Sequence, residues 1–218
     1  HGGNNKLEGG LNWLERRRKK VEFENEEPTV FIVGAGQAGL NIAARLQALN
    51  MSCLLIDRNP RIGDNWRNRY RTLSTHDPVH TCHMAYLQFP FNWPFFTPKD
   101  KLGDWFESYA SVNELNVWLS TTITSSSWSE ETKSWTISVK RGDKNGQERT
   151  LKPKYVVFCT GHSGEPKIPT FPGQDSFKGT VYHGSQHKDA AMSGKDLTGK
   201  KVVVVGTGNS GHDIAQNF

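Results

Sequence analysis

The stretch Thr29-Val-Phe-Ile-Val-Gly-Ala-Gly-Gln-Ala-Gly-Leu40 decides how this sequence folds. Its first half is β-branched and aromatic, which favours a strand, and its glycines follow in a GxGxxG pattern. Apolar residues then recur at helical spacing as far as Leu49, so the pattern predicts a strand, a glycine turn and a helix. A second apolar run, from Cys53 to Ile56, completes a predicted βαβ unit.

Each position of such a turn has a physical reason. The first glycine permits the tight turn, the second lets the backbone approach a pyrophosphate, and the third lets helix and strand pack closely. The helix N-terminus adds N–H groups and partial positive charge. The turn residues predicted to contact a nucleotide are Gly34, Gly36, Gln37, Ala38 and Gly39. Asp57 follows Gly34 by 23 residues, where an acidic side chain accepts hydrogen bonds from an adenosine ribose.

The glycine pattern occurs a second time near the end of the chain. Lys201 to Val205 predicts another β-branched strand, which runs directly into the second turn. The turn residues predicted to contact a nucleotide are Gly206, Gly208, Asn209, Ser210 and Gly211. Two such turns, 172 residues apart, indicate two different nucleotides, with a flavin and a nicotinamide as the natural pair. A glycine-rich turn without a ligand is the alternative for each.

Between the turns the chain changes character several times. Residues 58–98 are rich in aromatics and proline and predict a long loop, whose aromatic part suits either a substrate-channel wall or the underside of a lid. A helix is predicted from Pro98 to about Val112. Residues 117–151 predict an antiparallel hairpin or meander, and residues 155–159 a buried strand that ends at Thr160-Gly161.

Composition excludes some classes of protein. The chain has 218 residues, 27 basic and 22 acidic, and a formal charge of +5, which suits anionic ligands without requiring nucleic acid. The sequence contains no run of about 18 apolar residues, so it predicts no membrane span. Three cysteines cannot form a disulfide framework, so we expect a reducing, cytoplasmic setting. The cluster His76, His80, Cys82 and His83 lacks a second ligand pair, so packing is preferred to a metal site.

The amino-terminal residues are predicted to be a linker, residues 1–28, with one helix at most and with order beginning at Thr29. The basic run from Arg16 to Lys20 is followed at once by four glutamates, so the local charges are expected to cancel largely. A solvated helix or linker is favoured, and a targeting or polyanion-binding patch is the alternative. Because the sequence starts at His1, we expect a fragment of a longer protein.

Three further motifs carry a family resemblance. Phe177-Lys-Gly-Thr-Val-Tyr-His183 fits the fingerprint FxGxxxH and lies just before the second glycine turn. Gly63-Asp-Asn-Trp66 is similar to a flavin-contacting GGxW, with Asp64 replacing the second glycine. Cys159-Thr-Gly-His162 resembles an ATG-type hinge. From residue 29 onwards the chain resembles class B flavin-dependent monooxygenases, and is closest to the fungal and plant flavin-containing type.

The resemblance implies an α/β fold with two Rossmann-like domains, the second truncated. It implies an FAD domain at 29–165, with an antiparallel meander at about 117–151 inserted, and the start of an NADP domain at 166–218. The flavin-contacting residues it implies, beyond the first turn and Asp57, are Arg58, Gly63, Trp66, Thr75, Thr160 and Gly161. His76 takes the place of a flavin-adjacent asparagine, and His183 acts in domain coupling and NADPH handling or is purely structural.

The implied activity is insertion of one atom of O2 into a soft nitrogen or sulfur nucleophile, through a C4a-hydroperoxyflavin formed from FAD that NADPH has reduced. The substrate is expected to be a lipophilic small molecule, and this fragment alone is expected to be inactive. A Baeyer-Villiger monooxygenase acting on ketones is the main alternative, although His187-Lys188 stands where that branch has a Trp-Pro pair. A disulfide reductase would need a redox-active cysteine pair, and the sequence has no CxxC or CxxxxC motif. A non-catalytic nucleotide-binding module is the remaining alternative.

Overall fold

A computed structural model describes residues 10–162, 164–191 and 197–218 of the chain. This part contains a four-stranded parallel sheet, a three-stranded antiparallel sheet and five α-helices. The strands are β1 (Val30–Val33), β2 (Cys53–Ile56), β3 (Val117–Trp118), β4 (Thr121–Ser129), β5 (Ser134–Arg141), β6 (Gln147–Leu151) and β7 (Tyr155–Phe158). The helices are α1 (Trp13–Glu22), α2 (Gln37–Ala48), α3 (Asp64–Arg67), α4 (Lys99–Val112) and α5 (Asn209–Asn217). The predicted α/β class is confirmed.

The parallel sheet has the strand order β3-β2-β1-β7. Val30 of β1 lies opposite Cys53 of β2 on one side and opposite Tyr155 of β7 on the other. This order corresponds to half of a doubly wound dinucleotide-binding sheet. The first glycine turn therefore follows β1, one of the two inner strands, as the predicted βαβ unit requires.

Two strands differ from the prediction. Val117–Trp118 was expected to open the meander, but it pairs in parallel with β2 and forms one edge of the first sheet. Tyr155 and Phe158 of β7 are 59% and 70% exposed, so this strand is not buried as expected. It pairs with β1 on one side only within the described residues, and an edge strand covered on one side leaves apolar side chains exposed.

The antiparallel sheet confirms the rest of the predicted meander. β5 pairs with β4 and with β6, so it is the central strand. Trp128 and Trp135 face each other across the β4–β5 pair, with ring centroids 5.6 Å apart. An irregularity between Ile123 and Ser125 shifts the register, as a β-bulge does.

The core of this part of the chain joins three layers. It contains side chains from the parallel sheet, from the meander and from the chain just after α1, all at most 3% exposed. They are Phe23, Phe31, Leu54, Ile56, Trp118, Ile137, Val139 and Leu151. Phe23 is only 3% exposed, and the indole of Trp118 donates a hydrogen bond to the carbonyl of Val21. Order therefore begins before Thr29, contrary to the linker prediction, whose residues 1–9 lie outside the described residues.

A buried cation fixes the end of α1 to the meander. The side chain of Arg141 is 2% exposed and donates to the Glu22 carboxylate at 2.5 Å and to Asp143 at 2.8 Å. Its guanidinium lies 4.1 Å from the Trp118 ring centre, within cation–π range. Since a buried charge is costly unless it is paired, these two carboxylates are needed for Arg141 to be buried.

The chain divides into two compact units. One consists of the residues up to Ile62 together with Phe106–Thr160, and it contains both sheets. The other consists of Gly63–Trp105 together with Gly161–Phe218. The units interleave along the sequence, whereas the predicted nucleotide domains are consecutive, and those predicted boundaries remain predictions.

The strand predicted before the second glycine turn is not formed. Residues 201–205 are without regular structure, and Val203 and Val205 are 84% and 70% exposed. A β-strand requires hydrogen bonds to a neighbouring strand, and no strand of the described residues pairs with this segment. The helix predicted after the turn is present as α5. No helix among the described residues is long and apolar enough to cross a membrane.

We predict that Glu22→Gln lowers the free energy of unfolding by about 1.5–3 kcal/mol at neutral pH, the usual value of a hydrogen bond to a charged group. Burial acts to raise the pKa of Glu22, but the hydrogen bonds and charges of Arg141 and Lys144 outweigh it and lower the pKa. A carboxylate with a lowered folded-state pKa stabilises above its unfolded pKa and loses that effect as the pH falls through the folded value. The difference from wild type in urea unfolding should therefore vanish at acid pH.

Glu130→Gln is the matched control. Glu130 pairs with Lys133 on the surface, and both side chains are more than 70% exposed. Exposed pairs contribute little, so this variant should unfold like the wild type. An equal loss in both variants would contradict the role given to the Arg141 pair.

Candidate dinucleotide-binding site

The first glycine turn allows no side chain at two of its positions. Gly34 has φ +106°, and a Cβ there would lie 2.4 Å from the carbonyl oxygen of Cys159, which follows β7. A Cβ on Gly39 would lie 1.9 Å from the carbonyl oxygen of Gly34. Strand, turn and helix thus pack more closely than they could with any residue other than glycine at these two positions. This is the geometry of a nucleotide-binding turn.

The start of α2 lies beside a fixed carboxylate. Gly36 is the N-cap of α2 and offers no side chain to cap the first turn. Asp57, directly after β2, accepts hydrogen bonds from the backbone N–H of Ala35 at 2.9 Å and of Asn59 at 2.8 Å. Each carboxylate oxygen has a second lone pair, so both can accept a further donor. The backbone nitrogen of Thr160 also borders Gly34, and Arg58 is exposed.

The second glycine turn repeats this geometry within the other unit. Gly206 has φ +130°, and Gly208 is the N-cap of α5 without a side-chain cap. A Cβ on Gly211 would lie 2.8 Å from the carbonyl oxygen of Gly206, the same pair of positions that is closest in the first turn. The two sequence matches are therefore also two structural matches. Asn209 and Ser210 are the first residues of α5.

The GGxW-like motif forms a turn that packs on α4. Gly63 has φ +89°, and a Cβ there would lie 2.4 Å from the carbonyl oxygen of Gly103. Asp64, the departure from the motif, begins α3 and pairs with Arg67 at 3.3 Å. Trp66 is half-buried. Asp64 occupies the position of the motif's second glycine, and its ion pair with Arg67 stabilises the turn.

Thr75 and His76 differ in their surroundings. Thr75 is 7% exposed, and its hydroxyl donates to the carbonyl of Asp77 and accepts from the N–H of Thr97. The ring of His76 is exposed, with Nε2 3.6 Å from the Asp213 carboxylate of α5. Thr75 therefore holds its loop together, whereas His76 lies beside an acidic side chain of the helix that follows the second turn.

The fingerprint histidine caps a short helical turn. Nδ1 of His183 accepts a hydrogen bond from the backbone N–H of Ser185 at 3.2 Å, and the backbone N–H of His183 donates to Oε1 of Gln186 at 3.0 Å. These hydrogen bonds give His183 a local structural role, which is to cap the helical turn that follows it. The domain-coupling role that the resemblance implies remains a prediction, as do the flavin contacts of Gly161, which is exposed with φ +78°.

Sequence reasoning missed a polar network around α5. His187 is 4% exposed, and its ring lies between the Tyr182 hydroxyl at 3.0 Å and Asn217 Oδ1 at 2.8 Å. Asn217 Oδ1, which also accepts from the N–H of Ala190, accepts from His187 Nε2, and Nδ1 is hydrogen-bonded with the Tyr182 hydroxyl. The departure from the Trp-Pro pair is therefore a buried, hydrogen-bonded histidine.

Two further contacts connect the predicted loop of residues 58–98, the aromatic loop, to α5 and to the segment before it. The hydroxyl of Tyr70 donates to Asp213 at 2.6 Å, and Arg71 pairs with Asp189, whose side chain is 1% exposed. The sequence shows that Arg71 and the aspartates have opposite charges, but it does not show which of them are in contact. Such contacts between distant segments cannot be found from spacing alone.

The histidine and cysteine cluster packs against aromatic rings. His80 lies 5.6 Å from Phe95 and His83 lies 5.5 Å from Phe89, measured between ring centres. Within residues 10–162, 164–191 and 197–218, no three His, Cys, Asp or Glu side chains are arranged to hold a metal ion. Phe89 also packs against Trp93 and Trp105, while Phe91 is fully exposed.

A sequence profile described as FMO-like, flavin-binding monooxygenase-like, matches residues 27–218. The chain belongs to this family. The match begins just before β1 and includes both glycine turns and the fingerprint segment. The resemblance that the motifs suggested is thereby confirmed.

Curated relatives from plants support the same membership of the flavin-binding monooxygenase-like family. Indole-3-pyruvate monooxygenase YUCCA1 of Oryza sativa subsp. japonica is 32% identical over 203 residues, which are 93% of this chain and 48% of that protein. This chain therefore spans about half the length of that relative.

Solved structures share the fold of the family. A mutant of the flavin monooxygenase from Stenotrophomonas maltophilia has a TM-score of 0.74 at 21% identity, over 86% of this chain and 53% of that one. The OTEMO complex with FAD and NADP has a TM-score of 0.68 at 22% identity, over 88% of this chain and 37% of that one. At these identities the likeness concerns the fold.

We predict that Tyr70→Phe reduces the loss of stability at alkaline pH. Burial, followed by the hydrogen bond to Asp213, raises the pKa of Tyr70 to about 12. The folded state keeps this proton while the unfolded chain loses it near pH 10, so stability falls between about pH 10 and 12. Urea unfolding of the wild type should show this fall, and the variant should lack part of it.

Tyr86→Phe removes a phenol that is 54% exposed and serves as the control. Its alkaline stability profile should follow that of the wild type. If Tyr70→Phe and Tyr86→Phe had the same profile, the Tyr70–Asp213 hydrogen bond would not be responsible.

Proposed function

We propose that the chain is the dinucleotide-binding part of an NADPH- and FAD-dependent monooxygenase that inserts one atom of O2 into a lipophilic nitrogen- or sulfur-containing small molecule. Family membership supports the flavin and the reaction class. The observation that carries the proposal is the repeated turn geometry, in which the third glycine packs on the carbonyl of the first in both turns.

The residues of the first turn fit the adenosine diphosphate part of FAD. The uncapped start of α2 at Gly36 provides backbone N–H groups where a pyrophosphate would lie. Asp57 is held by two backbone donors and keeps acceptor capacity for ribose hydroxyls. Thr160, beside Gly34, would border the same ligand. We assign Gly34, Gly36 and Gly39 to FAD on these grounds.

The second turn fits the pyrophosphate of NADPH for the same reason. Gly208 leaves the start of α5 uncapped, and Gly206 and Gly211 allow the close packing. His183 and His76 would act beside this turn, as a structural cap and as a polar neighbour of Asp213. We expect both to orient groups rather than to transfer protons.

The bound flavin would supply the oxygen chemistry, since such cofactors carry the redox steps themselves. The chain's part is to bind the two dinucleotides, orient them and exclude water.

A second candidate is oxygenation of a carbonyl substrate. The plant relative that matches 93% of this chain is named for indole-3-pyruvate, a keto acid. Oxygen insertion into a ketone, the Baeyer-Villiger reaction, is disfavoured by His187, which is buried where that branch has a Trp-Pro pair. Substrate tests should therefore include an amine, a thioether, indole-3-pyruvate and cyclohexanone.

We predict that Gly39→Ala abolishes retention of FAD. The new Cβ would lie 1.9 Å from the carbonyl oxygen of Gly34, so the turn must open. Gly164→Ala is the matched control, because a Cβ there meets nothing within 4 Å. Flavin absorbance after gel filtration of the holoprotein measures the outcome. Flavin retained equally by both variants would overturn the assignment of FAD to this turn.

We predict that NADPH bleaches the flavin spectrum of the full-length protein anaerobically and that air, in the presence of a thioether or an amine, restores it with formation of a sulfoxide or N-oxide. The reason is the pair of turns, one for each nucleotide. Absorbance spectra and product analysis by mass spectrometry measure the outcome. A colourless protein would favour the non-catalytic nucleotide-binding alternative, and an ester or a decarboxylated acid as the main product would favour a carbonyl substrate.

A further inference from the structure

A small surface cavity lies along one face of α1, outside both glycine turns. Its volume is about 260 Å³, just below the roughly 300–1,000 Å³ of ordinary ligand pockets, so it suits a small group. Its lining residues are Trp13, Arg16, Arg17, Lys20 and Glu114. The four from α1 follow the spacing i, i+3, i+4 and i+7, which places them on one helix face.

The charge of this cavity is positive. Three cations and one carboxylate line it, which leaves a net charge of +2. A phosphate monoester carries about −1.5 to −2 at pH 7, so the charges match. Arginine forks and a lysine ammonium are the usual donors to such a group.

Part of the lining is held in place. Arg17 donates to the side-chain oxygen of Asn116 and, at 2.7 Å, to the carbonyl of Leu115. The indole N–H of Trp13 donates to Glu114 at 3.0 Å. Glu114 therefore offsets one of the three cations, and its Oε1 is held by the Trp13 indole.

Of the three cations, Arg16 and Lys20 are exposed and Arg17 is half-buried. Arg16 donates through Nη1 to the carbonyl of Leu11, which leaves its other N–H groups for a ligand. Lys20 makes no hydrogen bond or ion pair within residues 10–162, 164–191 and 197–218. Both can thus reach an anion in the cavity without breaking a contact.

The acidic residues nearest α1 are engaged elsewhere, which changes the expected cancellation of charge. Glu15 completes a capping box with Asn12 at the start of the helix. Glu22 pairs with Arg141 and Lys144. Of the four glutamates that follow the basic run and were expected to cancel its charge, Glu22 is instead paired with Arg141 and Lys144.

We propose that the α1 cavity is a binding site for a phosphate group, separate from the nucleotide turns. Arg16 and Lys20 bind the phosphate oxygens, Arg17 supports the charge, and Trp13 forms the wall. The same chemistry would serve the phosphate of a soluble monoester or that of a lipid head group.

The test is titration of the holoprotein with inorganic phosphate by calorimetry, at constant ionic strength. Arg16→Gln with Lys20→Gln removes two cations from the cavity, and we expect affinity to fall at least about tenfold. Arg18→Gln with Lys19→Gln is the matched control, because it removes the same charge from the same helix outside the cavity. Both proteins keep the glycine turns, so phosphate bound there contributes equally. Circular dichroism verifies that each variant is folded.

A second titration uses phosphatidylcholine vesicles that contain phosphatidic acid. Binding of vesicles and not of inorganic phosphate, lost only in the cavity variant, assigns the site to a lipid head group. Binding of phosphate with the same pattern assigns it to a soluble ligand. If neither probe binds the wild type, or if the two double variants bind alike, the proposal is wrong. The fate of the flavin assignment is independent, since it is measured by absorbance.

Discussion

The close approach of backbone to backbone at the first glycine turn is the constraint on which the sheet and the site both depend. Gly34 meets the carbonyl of Cys159, and Gly39 meets the carbonyl of Gly34, each at a distance that leaves no room for a side chain. The contact joins β1, α2 and the end of β7. A change of shape here would move the strand ends and the helix N-terminus together.

The meander and the amino-terminal helix depend on a second constraint, the burial of a charge. Arg141 is accommodated because Glu22 and Asp143 pair with it and Trp118 packs on its face. The guanidinium therefore connects the helix, the parallel sheet and the antiparallel sheet. Its partners come from positions 119 residues before it and 2 residues after it.

The elements that sequence could predict are those whose cause is local. The β1–turn–α2 pattern, the helix Lys99–Val112 and the β4–β6 meander all follow from periodicity and turn residues, and all are present. Val117–Trp118 was misplaced because a two-residue strand has no period, and its pairing with β2 is a long-range contact. The strand expected at 201–205 failed because strand formation depends on a neighbour.

The same distinction between local and long-range causes applies to the residues of the candidate site. Glycine spacing identified both turns, and the position after β2 identified Asp57, because these signals are short-range. The partners of His187, Tyr70 and Asp213 depend on folding of distant segments and gave no pattern. The acidic residues after the basic run were interpreted from sequence proximity, whereas Glu22 in the structure binds a residue of β5.

The interleaving of the second unit has an evolutionary consequence. Tyr70 and Arg71 contact Asp213 and Asp189, which lie more than a hundred residues further along the chain. A recombination event that replaced the segment after Gly161 with that of a distant relative would leave a buried phenol and a paired guanidinium without their acceptors. Exchange of nucleotide-binding halves between members of this family should therefore succeed only when the aromatic loop is inherited with the segment it contacts.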